Sequence, residues 1–377
     1  MAKVITTDHW VWHTSTVPAN EGEEVELFVR ERNGTPEGQE RKPVLMLHGR
    51  SVPTLPGFDL RYKTYSWSGA LAQAGYDVFM MDLQGSGLSA RPTMDDPHNV
   101  NPNQQNLLTP RPPGFTPGGQ LNYPYQLNNS YSDWDELHTV VEFIRGLCGA
   151  DKVAFIGWSA AAFWMGPYAV KNPDKVESLF LLAPIFPAEG SPNPPASLPA
   201  PGFPTNLSTK GGLSSPAGWG GELLCEGQRE DGIVDVVWDA LQKSDPVGSV
   251  WGGIDGLSRF RSFTRWGWNK ATAAQDEVLG GSVPVLIVYG EHDKQANTKP
   301  PNPNPELNFS VPALYHSVAG AHKLMVKLAC AGHSVPWEVQ HKNVHELSKH
   351  WLKHLKVDGK TQGVFDMDVD GNLSPAP

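Results

Sequence analysis

Short unbroken apolar runs recur along the chain, each followed by a longer stretch whose apolar positions fall three and four apart. The runs are Val44 to Leu47, Tyr76 to Asp82, Val153 to Ile156, Val176 to Leu182, Val283 to Tyr289 and Lys323 to Ala329. An apolar strand with no polar alternation is one buried on both faces, so runs separated by helices predict a mostly parallel sheet covered on each side, an α/β fold. Helices are predicted over Trp67 to Gly75, over Ser132 to Leu147 with Ser132-Asp133 as its cap, after Ser159, and at Val344, Leu347, Trp351 and Leu355 near the end. Ahead of these, HWVWHTSTVP and EVELFVRER read as an antiparallel hairpin, the second alternating Val25, Leu27 and Val29 with charged neighbours.

Two stretches break the rhythm. Residues 91–129 are rich in Pro and Asn, and residues 184–280 carry Trp219, Trp238, Trp251, Trp266 and Trp268. With 38 glycines and 34 prolines the chain far exceeds the roughly 12% of average usage, yet apolar residues stay plentiful, which suggests long ordered loops. Residues 1–183 and 281–377 are therefore assigned to one core, and 184–280 to a lid or cap inserted between two strands.

A net charge of −10 and the absence of any Lys/Arg run exclude a nucleic-acid partner and give no reason to expect a membrane surface, which leaves a small, neutral partner and a homodimer as a possible assembly. The three cysteines, Cys148, Cys225 and Cys330, are odd in number and form no CxxC pair, so no disulfide framework is expected. The first residues hold no apolar signal segment, and a soluble, cytoplasmic protein without metal or cofactor is the expectation.

The chemistry concentrates at three strand ends. Gly157-Trp158-Ser159-Ala160-Ala161 follows an apolar strand and precedes a helix, and small residues two positions either side of Ser159 permit a tight strand-to-helix turn. A serine hydroxyl is a poor nucleophile until a histidine takes its proton and a carboxylate fixes the histidine tautomer. Gly290-Glu291-His292-Asp293 and Gly332-His333 end the next two strands, on the edge where parallel sheets place their sites.

With His48-Gly49-Arg50 and the turn from Asp82 to Ser89, these pieces resemble the α/β-hydrolase superfamily, in family order over roughly residues 25 to 355. The resemblance implies an eight-stranded, mostly parallel sheet with a lid after the sixth strand. It implies Ser159 as nucleophile, His333 as general base and then acid, and Asp293 as the orienting carboxylate. The backbone N–H groups of Arg50 and Ala160 would form the oxyanion hole. Ala161 stands where glycine is commonest. Glu189 is the alternative acid, because some relatives supply it after the sixth strand, while Glu291 is expected to point away.

Trp158, Trp219, Trp238 and Trp266 are the expected walls of a roofed apolar pocket, and hence a hydrophobic ester or lactone is the expected substrate, by way of an acyl-enzyme. The rivals are an amidase or aminopeptidase gripping a substrate amine with Glu222, Glu226, Glu230 and Asp231, and a ligand-binding receptor with slow turnover. Serine rather than aspartate at 159 argues against epoxide hydrolases and haloalkane dehalogenases. His341, His345, His350 and His354 read as helix surface, His292 as a supporting histidine, and Asp366 to Gly371 as a terminal turn that fails as a calcium loop at Pro377.

Overall fold

The computed structural model describes residues 4–376. Ten strands form one sheet: β1 (Ile5–Thr14), β2 (Glu24–Asn33), β3 (Pro43–Leu47), β4 (Asp77–Met81), β5 (Val153–Trp158), β6 (Val176–Leu182), β7 (Val285–Gly290), β8 (Lys323–Leu328), β9 (Gly363–Met367) and β10 (Leu373–Pro375). Their order is β1-β2-β4-β3-β5-β6-β7-β8-β9-β10. From β4 through β9 the neighbours are parallel; β1 with β2, β2 with β4, and β9 with β10 are antiparallel.

The sheet is thus two strands wider than the eight expected. The extra hairpin, β9 and β10, contains the segment from Asp366 read as a turn; it turns where Asp368 accepts hydrogen bonds from the N–H groups of Asp370 and Asn372. Five- and three-residue strands at a sheet edge leave too short an alternation to be read against the polar residues around them.

Successive residues of the central strands enter opposite cores. Leu45, Leu47, Phe79 and Phe155 face the helices Ser130–Cys148 and Ala162–Lys171, while Val44, Met46, Met80 and Ile156 face Trp67–Gln73 and His341–His354. This is the physical reason the runs lack polar alternation: a strand side chain on either face meets a helix. The helix Ser130–Cys148 begins two residues before its predicted start. Its cap is Asn129, whose side chain accepts from Tyr131 and Ser132, and Ser132 returns a bond to the Asn129 N–H.

The segment between β6 and β7 leaves the sheet at its carboxyl edge, and residues 91–129 join it there. Val100 bridges to Thr205, Thr109 to Gly252 and Tyr125 to Pro201, and Phe263-Thr264 pairs in parallel with Asn128-Asn129. The two irregular stretches are therefore one layer above the strand ends. Among the described residues no helix is long and apolar enough to cross a membrane.

Candidate active site

Ser159 sits one residue past β5 with φ of 59°, left-handed for an L-residue. That conformation costs on the order of 1 kcal/mol or more and persists only where the surroundings hold it. Here β5 feeds straight into a helical turn at Ser159–Ala161 that continues as Ala162–Lys171. A Cβ on Gly157 would stand 2.9 Å from Met165 Sδ and 3.0 Å from Ala161 Cβ, so the small residues are required by packing beneath the turn. Ala161 fits because its methyl group fills that space.

The turn presents the hydroxyl to His333. Ser159 Oγ lies 2.8 Å from His333 Nε2, and His333 Nδ1 lies 3.0 Å from each oxygen of Asp293. With Nδ1–H donating to the carboxylate, Nε2 keeps its lone pair and accepts the serine proton. Asp293 is buried, and its Oδ1 also accepts from the Ala296 N–H at 2.8 Å. Burial pushes the His333 imidazole down, but the charge and hydrogen bond of Asp293 outweigh it and leave the group above its ordinary 6.5.

Glu189 takes no part. It is an exposed partner of Lys270 at 2.6 Å, because the chain beyond β6 turns outward after Phe186. Glu291 also points away and accepts from the Cys330 N–H.

Opposite the serine, β3 ends in His48-Gly49-Arg50. Leu83 N–H donates to His48 Nε2, so His48 carries its proton on Nδ1 and donates to the Gly49 carbonyl at 2.6 Å. Full burial holds this ring neutral, with its pKa down at about 3. In a trans peptide C=O and N–H point opposite ways, so fixing the Gly49 carbonyl on His48 turns the Arg50 N–H away from it. A Cβ on Gly49 would meet Ser159 Cβ at 3.1 Å and Oγ at 3.5 Å, which shows how closely this strand end passes the serine. Behind it, Asp82 accepts from the N–H groups of Thr54 and Leu88, and only glycine fits at 87, where a Cβ would overlap that carboxylate.

Two buried glutamates hold the histidine loop: Glu222, which the sequence reading offered only as one of a substrate-amine cluster, and Glu338, which it did not single out. Glu222 accepts from the His333 N–H at 2.7 Å, and Glu338 accepts from Gly332 N–H, Trp219 Nε1 and Gln228 Nε2. Burial raises the Glu338 carboxyl to about 7. The sequence signal was thin: Glu338 lies five residues after His333, whereas Glu222 arrives from the insertion, 111 residues away. Glu222, Glu226, Glu230 and Asp231 form no amine-gripping cluster, since Glu222 is spent on His333, Glu230 pairs with Lys63, and the other two are exposed.

Contrary to the cysteine count, Cys225 and Cys330 are joined by a disulfide, and Cys148 is the free thiol. A sequence separation of 105 hides the pairing, which ties the insertion to the loop three residues before His333. His292 Nε2 lies 3.3 Å from Cys225 Sγ, so these three side chains cluster, though both sulfurs are already bonded to each other. His341 and His345 are not on the surface: His341 stacks on Tyr65 at 3.8 Å, and His345 is buried against Trp67.

A cavity of about 390 Å³ opens over Ser159 and His333. Trp158 and Trp219 line it with Phe163, Phe260, Phe263 and Trp337. Trp238 and Trp266 do not: Trp238 is packed in the core with its N–H on the Asp255 carbonyl, and Trp266 meets Tyr131 and Trp134 edge to face. A tryptophan in an insertion is as useful for packing as for recognition, which is why position in the chain did not separate the four.

The profile of the alpha/beta hydrolase fold family matches residues 42–223, the span from β3 through the Ser159 turn into the insertion. The chain has the α/β-hydrolase fold. Among solved structures, a serine hydrolase from the polyaromatic-hydrocarbon-degrading bacterium Cycloclasticus zankles superposes with a TM-score of 0.50 at 14% identity, covering 94% of this chain and 100% of that one. A thermophilic esterase from Thermogutta terrifontis gives 0.49 at 16% identity over 93% and 100%. No curated protein matches the chain in sequence. In this chain the carboxyl ends of β5, β7 and β8 bring Ser159, Asp293 and His333 together, the edge of a parallel sheet where sites form.

Proposed function

We propose that this chain is a cofactor-independent serine hydrolase that cleaves a carboxylic ester or lactone of a small, largely apolar molecule. The observation that carries the reading is the continuous relay from Asp293 through His333 to Ser159 Oγ, with contacts of 3.0 and 2.8 Å beneath an aromatic cavity. His333 Nε2 takes the hydroxyl proton as Ser159 attacks the carbonyl, and the N–H groups of Arg50 and Ala160 receive the developing oxyanion. His333 then gives the proton to the leaving alcohol, and water, deprotonated by the same nitrogen, releases the acid from the acyl-enzyme. Residues 184–280, joined by 91–129, act as the lid that roofs this chemistry. An amidase reading finds no support in the arrangement of the insertion's carboxylates.

Cytoplasmic residence and a homodimer were the expectations; the Cys225–Cys330 bond favours an oxidising compartment instead. The deciding experiment is labelling with a fluorophosphonate followed by a panel of short-chain esters, aryl esters, lactones and aminoacyl amides. Wild type should be modified once and Ser159→Ala not at all. Equal labelling of both, or turnover confined to the amides, would falsify the proposal.

A further inference from the structure

The cavity lining contains two arginines, Arg50 and Arg265, and no aspartate or glutamate, in a chain with 40 acidic and 30 basic residues. Neither arginine side chain makes an ion pair or a hydrogen bond among the described residues; Glu306, which shares a neighbouring hollow with Arg265, is a carboxylate whose charge reaches it without pairing. Their neighbours show that this is a local choice. Four and six residues earlier in the insertion, Arg261 is paired with Asp133 and Arg259 with Asp245 and Asp95.

What the two cations do have is aromatic support. Arg50 lies over the Phe260 ring at 5.3 Å, and Arg265 over Phe163 at 4.9 Å and Phe309 at 5.5 Å. Stacking on ring faces fixes the guanidinium plane and leaves its N–H edge free for an incoming anion. Both side chains, with Phe263, also line a second hollow of about 380 Å³, so they stand between it and the cavity over Ser159. Partial burial, and then the charge of Arg50, push the Arg265 guanidinium below its ordinary value, and the opposing charge of Glu306 does not make up for them.

We propose that Arg50 and Arg265 form an anion subsite and that the substrate is an ester carrying a free carboxylate on an apolar body. This deepens the serine-hydrolase reading and departs from the neutral partner that net charge alone suggests. The planar two-oxygen face of a carboxylate matches a guanidinium fork, and the apolar walls suit the rest of the molecule. The reacting carbonyl stays at Ser159 while the second, ionised group is held by the two guanidinium groups.

The test compares kcat/KM for 4-nitrophenyl hemiglutarate with that for its methyl ester, in wild type, Arg265→Gln, Arg265→Lys and Arg50→Gln. Wild type should prefer the free acid about 10-fold or more, and Arg265→Gln should lose most of that preference through KM, since a hydrogen bond to a charged group is worth about 10- to 100-fold. Arg265→Lys should recover part of it. No preference in wild type, or one that survives both glutamine variants, overturns the proposal. A 3-phosphonopropanoyl ester preferred over the carboxylate overturns the assignment of the anion.

Calorimetric binding of glutarate to Ser159→Ala separates this idea from the catalytic one. Salt-sensitive binding lost in Ser159→Ala/Arg265→Gln, with no ester turned over by wild type, sustains the subsite and removes the hydrolase. Ser159-dependent turnover of the methyl ester, with no glutarate binding and no preference for the acid, does the reverse.

Discussion

At residue scale the chemistry rests on one tautomer. Asp293 accepts from His333 Nδ1 through both oxygens, which leaves Nε2 free for the Ser159 proton. Asp293→Asn keeps the shape but can present its amide N–H to that nitrogen and flip the tautomer, so kcat should fall by about 10^4-fold while Glu189→Gln leaves it unchanged. The pH profile follows from sign. Only neutral His333 can act as base, and its pKa is raised, so kcat/KM should be lost as pH falls through a midpoint above 6.5, and Asp293→Asn should move any residual midpoint down. A midpoint below 6.5 in wild type would contradict the Asp293 contact. These residues were legible in the sequence because a nucleophile turn and two strand-end loops are local patterns. Glu222 and Glu338 were not, because a carboxylate that braces a backbone N–H is defined by its partner rather than by its neighbours.

At element scale the loop after β8 is the piece that needs support, since it has no regular structure of its own between Leu328 and the turn at Val335. It is tied by Glu222 and Glu338 and by the Cys225–Cys330 bond. Closing a loop of 105 residues contributes about 4 to 5 kcal/mol in the chain-entropy account. Cys225→Ser/Cys330→Ser should therefore unfold at lower denaturant concentration and lose turnover ahead of global unfolding, as read by parallel activity and fluorescence titrations. Unchanged titrations would show that the disulfide does not constrain the histidine loop. Glu338→Ala strands two buried donors, Gly332 N–H and Trp219 Nε1, at roughly 1 to 3 kcal/mol each, while Gln228 keeps its bond to the Glu222 carbonyl, and it should destabilise more than removal of an exposed carboxylate such as Glu226. Trp219→Ala should alter the ester chain-length profile, whereas Trp238→Ala should cost stability only, because Trp219 lines the cavity and Trp238 lies in the core.

At the scale of the whole molecule, the insertion is fastened to the sheet layer by an ion pair at depth. Arg261 reaches from the insertion to Asp133 on the helix Ser130–Cys148 and lies over Trp164 at 4.9 Å, and both charged partners are buried. Removing one member leaves the other charge without compensation, so Asp133→Ala should cost about 3 to 5 kcal/mol in a denaturant melt and open the insertion to limited proteolysis. A melt within experimental error of wild type would mean that the two layers are held by apolar contact alone.

The sequence by itself determined the parallel sheet and the order Ser159, Asp293, His333, because each is written in unbroken apolar runs, in a period of 3.6 or in a turn of a few residues. Only the tertiary structure decided the width of the sheet, the disulfide, the bracing of His333, and which tryptophans face the cavity. It also brought Arg50 and Arg265, 215 positions apart in the chain, onto one cavity without an acid to pair them. The extra edge strands are too short to show a period, and the other features depend largely on groups that meet across long stretches of chain, which leave no periodic mark in a single sequence. For the Gly157 to Ala161 turn the two levels agree: the small residues visible in the sequence are the ones that packing beneath Ser159 requires.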